Sequence, residues 1–293
     1  MNELIGVLVA SLFLGVFLGM MALGFTIAFT VSQVFNFAVG QFVILAGLLT
    51  VSVQFTGSAL ANVVIAVVLV SLMGAGIYLF AIRWPESRGA KPLTLVMITF
   101  GIGMVTEQLA EERWGSFSLS PPTLLSGHFS IDRIFVPYQG LLFVGVSLLV
   151  VVGLWLGQLH TNPGKQLLAL GTDRLSARYY GIDDRLMVTL AWTLSFAVLA
   201  IAGVLYLPLT GVSMPSDLTY GIDAFTAAVI GGLGNPLAAL GGGLVVALTI
   251  NLVGTYLTAT LTDLVTFAFL FAFLVLRPGG LFGNAREFFI ARA

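Results

Sequence analysis

Apolar residues along this chain come in unbroken blocks and not in alternation. Residues 4–31, 59–82, 140–159 and 186–209 contain no charged side chain. Each exceeds the roughly 18 residues that separate a membrane-crossing helix from a buried core helix. Further blocks occupy 36–54, 92–110, 237–256 and 261–276, and a shorter one at 223–232 falls short of a crossing. Solid blocks without two-residue periodicity predict helices and exclude a β-barrel. The expected fold is an all-α integral membrane protein of about eight or nine transmembrane helices. It includes a short or re-entrant helix near 223–233. The first block is long and carries Gly6, Gly15, Gly19 and Gly24, which predicts a tilted or broken helix.

Composition agrees. Hydrophobic residues make up 58% of the chain and charged residues 9%, with a mean hydropathy of +1.06. A soluble domain carries about a quarter charged residues, so this chain lacks the polar surface to face water. A net charge of −1 without blocks of like charge leaves no footprint for nucleic acid. The chain has no cysteine, which excludes disulfides, thiolate chemistry and cysteine-based metal sites. Met1-Asn2-Glu3 lacks the basic flank of a signal peptide and no A-x-A site follows, so the first block is expected to be a retained span.

Charge also predicts orientation. Of the 12 lysines and arginines, Arg83, Arg88 and Lys91 fall in one connection, Lys165, Arg174, Arg178 and Arg185 in another, and Arg277, Arg286 and Arg292 in the tail. Only Arg113 and Arg133 fall in the opposite set. Short cytoplasmic loops are the basic ones, so the first group and the C-terminus are expected in the cytoplasm and residues 111–137 outside. The side of the N-terminus depends on whether 223–232 crosses or re-enters.

Three features carry functional potential. The hydrophilic stretch 160–185 opens with Asn162-Pro163-Gly164, a helix start with proline in its first turn, and Gly181 is placed to end that helix. Apolar Leu167, Leu168, Leu170, Leu175, Tyr179 and Tyr180 share the segment with polar Lys165, Asp173, Arg174 and Arg178. Such a helix lies on lipid, docks into a groove of a soluble partner, or is simply a solvated loop helix. The glycine-rich run Gly231-Gly232-Leu233-Gly234-Asn235-Pro236, with Gly241-Gly242-Gly243 after it, reads either as the end of a half-helix lining a cavity or as close helix packing.

Polar residues in or beside the blocks form the third feature: Asn36, Gln41, Glu107, Gln108, Asp223 and Asp263. A charge at the centre of a span costs about 2.5–3.5 kcal/mol, so such groups face a cavity, a partner or the interface. Asp223 and Asp263 lie near block ends, and Glu107 lies about one turn from Glu111, which favours the interface for the acids.

Enzymatic motifs are missing. Pro163-Gly164-Lys165-Gln166 lacks the spacing of a phosphate-binding loop. Gly101-Ile102-Gly103 sits inside a span, and His128 and His160 are expected on opposite sides, which removes a two-histidine metal site. No G-x-S-x-G elbow occurs.

Several separated stretches together resemble the permeases of branched-chain amino acid ABC transporters. Ala22-Leu23-Gly24-Phe25-Thr26-Ile27 followed by Asn36-Phe37-Ala38-Val39-Gly40-Gln41 resembles that family's opening. Ala177 through Gly181-Ile182 and then Ala202-Gly203-Val204-Leu205 resemble its middle. The run from Ala224-Phe225-Thr226 to Gly231-Gly232-Leu233-Gly234, and Arg277-Pro278-Gly279-Gly280-Leu281-Phe282-Gly283, resemble its close. The stretches occur in the family's order over nearly the whole chain. Departures fall at Val39, where histidine is common, at Gln41, where an acid is common, at Glu107, where an amide is usual, and at Ser176, which lacks the glutamate often found there.

The resemblance implies a single transmembrane permease domain over 1–293, of the smaller, LivH-like kind, in a bacterial inner membrane. It implies a second, LivM-like permease subunit, two cytoplasmic ATPases that use ATP and magnesium, a periplasmic solute-binding protein, and no cofactor on this chain. Residues 160–185 would be the cytoplasmic coupling segment, with Lys165, Asp173, Arg174, Ala177, Arg178 and Gly181 as its contacts to an ATPase. Asn36, Phe37, Gln41, Glu107, Gln108, Thr226 and Gly231 would line the substrate pathway. The solute would be a branched-chain amino acid or a related small amino or organic acid or amide. The alternative is a stand-alone secondary transporter or channel, which requires ion-coupling groups deep within the spans.

Overall fold

The computed structural model describes residues 2–52, 58–115, 119–131, 134–212, 217–258, 260–277 and 279–281. Arg133, Pro278, Arg286, Arg292 and the Phe282-Gly283 end of the tail motif lie outside them, as does the side chain of Asp263.

Helix α1 (Asn2–Ser32) is continuous, so the glycines of the first block do not break it. Helix α2 (Val39–Ser52) follows, then α3 (Ala59–Gly76), which runs through a π-helical stretch (Ile77–Ile82) into the short α4 (Arg83–Ser87). Helices α5 (Pro92–Trp114) and α6 (Tyr138–His160) flank a small antiparallel hairpin, β1 (His128–Ile131) with β2 (Ile134–Pro137). The surface segment is α7 (Asn162–Thr172) and α8 (Arg174–Tyr179). The remainder is α9 (Asp184–Thr210), α10 (Asp217–Gly231), α11 (Pro236–Tyr256) and α12 (Thr260–Leu276).

Among the described residues six helices are long and apolar enough to cross a membrane: those of α1, of α3 through α4, and of α5, α6, α9 and α11. Val39–Ser52 and Leu264–Leu276 are shorter apolar helices. At about 1.5 Å per residue, 14-residue α2 and 15-residue α10 each reach about 21–23 Å, short of a hydrocarbon core of about 30 Å. The 223–232 block is thus the second half of a longer helix that begins at Asp217.

Contacts at the helix ends sort the connections into two groups. Arg174 pairs with Glu86, Thr30 packs against Gly171, and the backbone N–H of Leu281 donates to the carbonyl of Ile230 (2.7 Å). One cleft brings Leu167 and Leu168 to Gly234 and Pro236. The 83–91 connection, the 160–185 segment, the α10–α11 turn and the tail therefore share one end of the bundle. At the other end Leu119 bridges Val212 and the Trp114 Nε1–H donates to the Ser52 hydroxyl (2.5 Å). Among the described residues the basic groups of the connections gather at the α7–α8 end, with Arg113 opposite. Helix α1 runs towards the α7–α8 end, since Gly15 meets Leu244, Gly19 meets Leu240 and Thr30 meets Gly171. Its N-terminus thus starts from the Arg113 end.

Helix α1 is the central element, packed on α11, α9, α10 and α6. The helix is apolar on all sides, and its buried stretch from Val16 to Phe25 turns every face to protein. Lipid supplies no hydrophobic force between helices, so close backbone approach must hold them. A Cβ on Gly15 or Gly19 would come within 2.8 Å of the α11 backbone at Leu244 or Leu240, and one on Gly243 would collide with the backbone of Gly19. A Gly74 Cβ would meet the Phe196 ring at 2.5 Å, which seats α3 on α9 in the same way.

Gly243→Leu is expected to force α1 and α11 apart at a cost of about 3 kcal/mol or more. Thermal scans of the detergent-solubilised protein should show a clear fall in midpoint, whereas Gly153→Leu, with open space at its Cβ, should leave it unchanged.

Candidate functional site

The 160–185 segment is two helices, not the single helix its sequence predicts. Thr161 begins α7, its hydroxyl accepting from Gly164 N–H (3.1 Å). Gly164 lies so close to the Gly157 carbonyl that any side chain would collide, which lets α7 fold back along the end of α6. Leu167 and Leu170 are buried beneath α7. The break falls at Asp173, whose carboxylate accepts from the N–H groups of Leu175 (2.9 Å) and Ser176 (3.2 Å) and so caps α8. Gly181 follows α8 at φ 81°, in the left-handed region where glycine is unstrained.

The segment has two faces. Ala177 is buried, and the Arg174 guanidinium donates from Nη1 to Glu86 (2.6 Å) and from Nε to Asp184 (2.8 Å), while Arg178 bonds the second Asp184 oxygen. On the outer face Leu168, Leu175, Tyr179 and Tyr180 are exposed, the last two at 83% and 89%. Lys165, Asp173, Arg178 and Gly181 are also exposed. The six residues expected to contact a partner therefore divide: Lys165, Asp173 and Gly181 are exposed, Arg178 is exposed but paired with Asp184, Ala177 packs inward, and Arg174 is engaged inside the chain. Burial alone would lower the pKa of Arg174, but the bonds to Asp184 and Glu86 hold it above its ordinary value. The side-chain and backbone bonds from Ser176 hold Asp173 below the usual carboxylate range.

The second site lies at mid-depth, where the chain comes back from the end of α1 and α2 begins. Gln33 turns the chain at φ 56°, and residues 33–38 return without helix to Val39. The Phe37 N–H donates to the Thr99 hydroxyl (3.2 Å), and Asn36 Oδ1 accepts from the N–H of Ala38 (3.1 Å). Thr99 is eight residues into 23-residue α5, and Gln41 lies against Gly103 one turn further on, so α2 starts near mid-depth. Asn36 Nδ2 and Gln41 Oε1 are buried without a hydrogen-bond partner. Phe37 is 42% exposed, and its ring meets Phe225 at 6.0 Å in a cluster with Phe25, Phe29 and Phe35.

Asn36, Phe37 and Gln41 therefore come together. Glu107 continues the Thr99–Gly103 stripe of α5 and is half-buried, and Gln108 is exposed on the adjoining face. Thr226 stands apart: its hydroxyl donates to the Ile222 carbonyl (2.9 Å), and it shares a narrow crevice with Thr249 and Thr266. Gly231 lies in the α10–α11 elbow, against the Ala238 carbonyl. Sequence reading missed Glu86, Asp184, Thr99 and the phenylalanine cluster. An acid inside each basic connection was the available signal for the first two.

An all-α bundle of apolar spans, with a helix that starts at mid-depth and a firmly seated surface segment, defines a multi-pass membrane permease. The chain matches the family described as branched-chain amino acid transport system / permease component over residues 7–274, and it belongs to that family. It is 28% identical to the high-affinity branched-chain amino acid transport system permease protein LivH of Escherichia coli (strain K12), over 94% of this chain and 95% of that protein. It is 26% identical to BraD, the corresponding permease protein of Pseudomonas aeruginosa, with the same shares covered. A probable branched-chain amino acid transport permease protein LivH of Methanocaldococcus jannaschii is 27% identical over 82% of this chain and 78% of that protein. No solved structure matches the chain.

The Asp173 cap is formed by the carboxylate. Its depressed pKa means that the cap is fully present above the unfolded-state value and is lost as pH falls through the folded value. Asp173→Ala, or acidification of the wild type, should speed hydrogen exchange at the Leu175 and Ser176 amides while α9 stays protected. Asn36→Ala leaves the buried Ala38 N–H without its acceptor, which should cost about 1 kcal/mol and lower solute uptake in membrane vesicles.

Proposed function

We propose that this chain is the LivH-like subunit of an ATP-binding-cassette importer, paired with a second, LivM-like permease. Two cytoplasmic ATPases, which use ATP and magnesium, drive it, and a periplasmic binding protein feeds it. The observation that carries the reading is the outer face of α7–α8. Four large apolar or aromatic side chains stand exposed on a segment whose other face is fixed to the bundle by burial and ion pairs. A surface helix of this kind fits the groove of a soluble partner, with rigid tyrosines as anchors. Basic residues at that end support a cytoplasmic side for it and for the C-terminus, and in this reading the N-terminus of α1 lies outside.

The solute pathway in this reading passes the α2 entry. Asn36, Phe37 and Gln41 meet the Thr99–Glu107 stripe there, and non-helical backbone at membrane depth is tolerated where protein or a water-filled cavity surrounds it. The solute is a branched-chain amino acid or a related small amino or organic acid or amide.

The test is co-purification in mild detergent. The wild type should bring down its ATPase subunits and the second permease, and Tyr179→Ser/Tyr180→Ser should release the ATPases while retaining the permease. Transport of leucine, isoleucine or valine by the lone purified chain in vesicles would instead establish a stand-alone transporter.

A further inference from the structure

Arg174 carries the same sign of charge as Lys165 and Arg178 and lies between them, yet it behaves differently. Its guanidinium spans two carboxylates from two other parts of the chain. Nη1 reaches Glu86 at 2.6 Å, 88 residues earlier in α4, and Nε reaches Asp184 at 2.8 Å in the first turn of α9. The side chain is 27% exposed, Glu86 23% and Asp184 15%. Helices α3 and α9 pack along each other, and α4 is the direct continuation of α3 through the π-helical stretch. The planar fork of arginine fixes both partners in direction as well as distance, which a lysine does not. Removing it would leave Glu86 without its cation while Asp184 kept only Arg178, so the tie from α8 to α4 would be lost and the tie to α9 reduced to the more exposed pair.

We propose that Arg174 is a positioning residue that joins the coupling segment to α3–α4 and α9 at once. Displacement of α7–α8 thus moves both helices as one body, and Arg174 is not itself an ATPase contact. The inference rests on the importer reading. It deepens that reading by dividing the segment into an outer docking face and an inner transmitting one.

The absence of cysteine from the chain makes the test direct. Leu4→Cys on α1 and Leu60→Cys on α3, both exposed and both at the end remote from α7–α8, accept spin labels. In the complete importer reconstituted in lipid, ATP should shift the distance between them. R174Q should retain the ATPases and their hydrolysis of ATP. The shifted population should fall roughly fivefold or more, the lower range of ordinary coupling between sites. E86Q should do the same, the double variant should be no worse than either single one, and R174K should recover only part of the shift.

Three results would overturn the proposal: an unchanged shift in R174Q, loss of the ATPases from R174Q, or a wild-type distance that ATP leaves unmoved. If R174Q fails to reach the membrane, E86Q, which leaves the Arg174–Asp184 bond in place, decides the matter by the same readout. Failure of the wild type to bind ATPases at all is a different result, and it would remove the importer reading instead.

Discussion

The close approach of α1 to α11 is the constraint on which the remaining architecture depends. In lipid a leucine-rich surface gains nothing by facing protein, so two helices stay together only where their backbones come near enough for dense contact. Gly15, Gly19 and Gly243 provide that nearness. With α1 held at the centre, α9, α10 and α6 can pack around it, and its far end arrives beside α7, where Thr30 meets Gly171. The mid-depth entry to α2 and the seating of the surface segment both start from that placement.

What the sequence revealed and concealed follows from the same physics. Block lengths located the spans because burying backbone in hydrocarbon demands helix. Among the described residues, the distribution of lysine and arginine divides the connections between the same two ends that contacts such as Arg174–Glu86 and Leu119–Val212 define. In contrast, the all-round apolarity of α1 gave no hint that it is central, because an apolar face suits lipid and protein equally. The 36–54 block read as one span since Asn36 to Ala38 are no more polar than many helix residues, although the chain there is not helical. The partner that explains the late start of α2, Thr99, lies 62 residues further along the sequence. The surface segment read as one helix because Asp173 is tolerable within a helix. Its carboxylate instead accepts two N–H groups and starts a new one.

The motifs that support the family resemblance also turn out to be spatially organised. The glycine-rich close of α10 and the tail after α12 meet directly: a side chain on Gly280 would press on Gly232 and the Val229 carbonyl, and Leu281 bonds Ile230. The opening motif supplies both the central helix and the α2 entry. The middle motif supplies the α8 residues that sit against α9. Residues scattered along the chain thus belong to three junctions, each a place where backbone must approach backbone or change direction.

The π-helical stretch from Ile77 to Ile82 adds a geometric consequence. A widened turn accommodates one residue beyond the regular count, so everything after it is rotated by about 100° relative to an uninterrupted α-helix. That rotation sets the azimuth at which Glu86 leaves the α3 axis. The acid faces the surface segment because the helix is locally overfilled, and a chain one residue shorter at this point would aim the same carboxylate elsewhere.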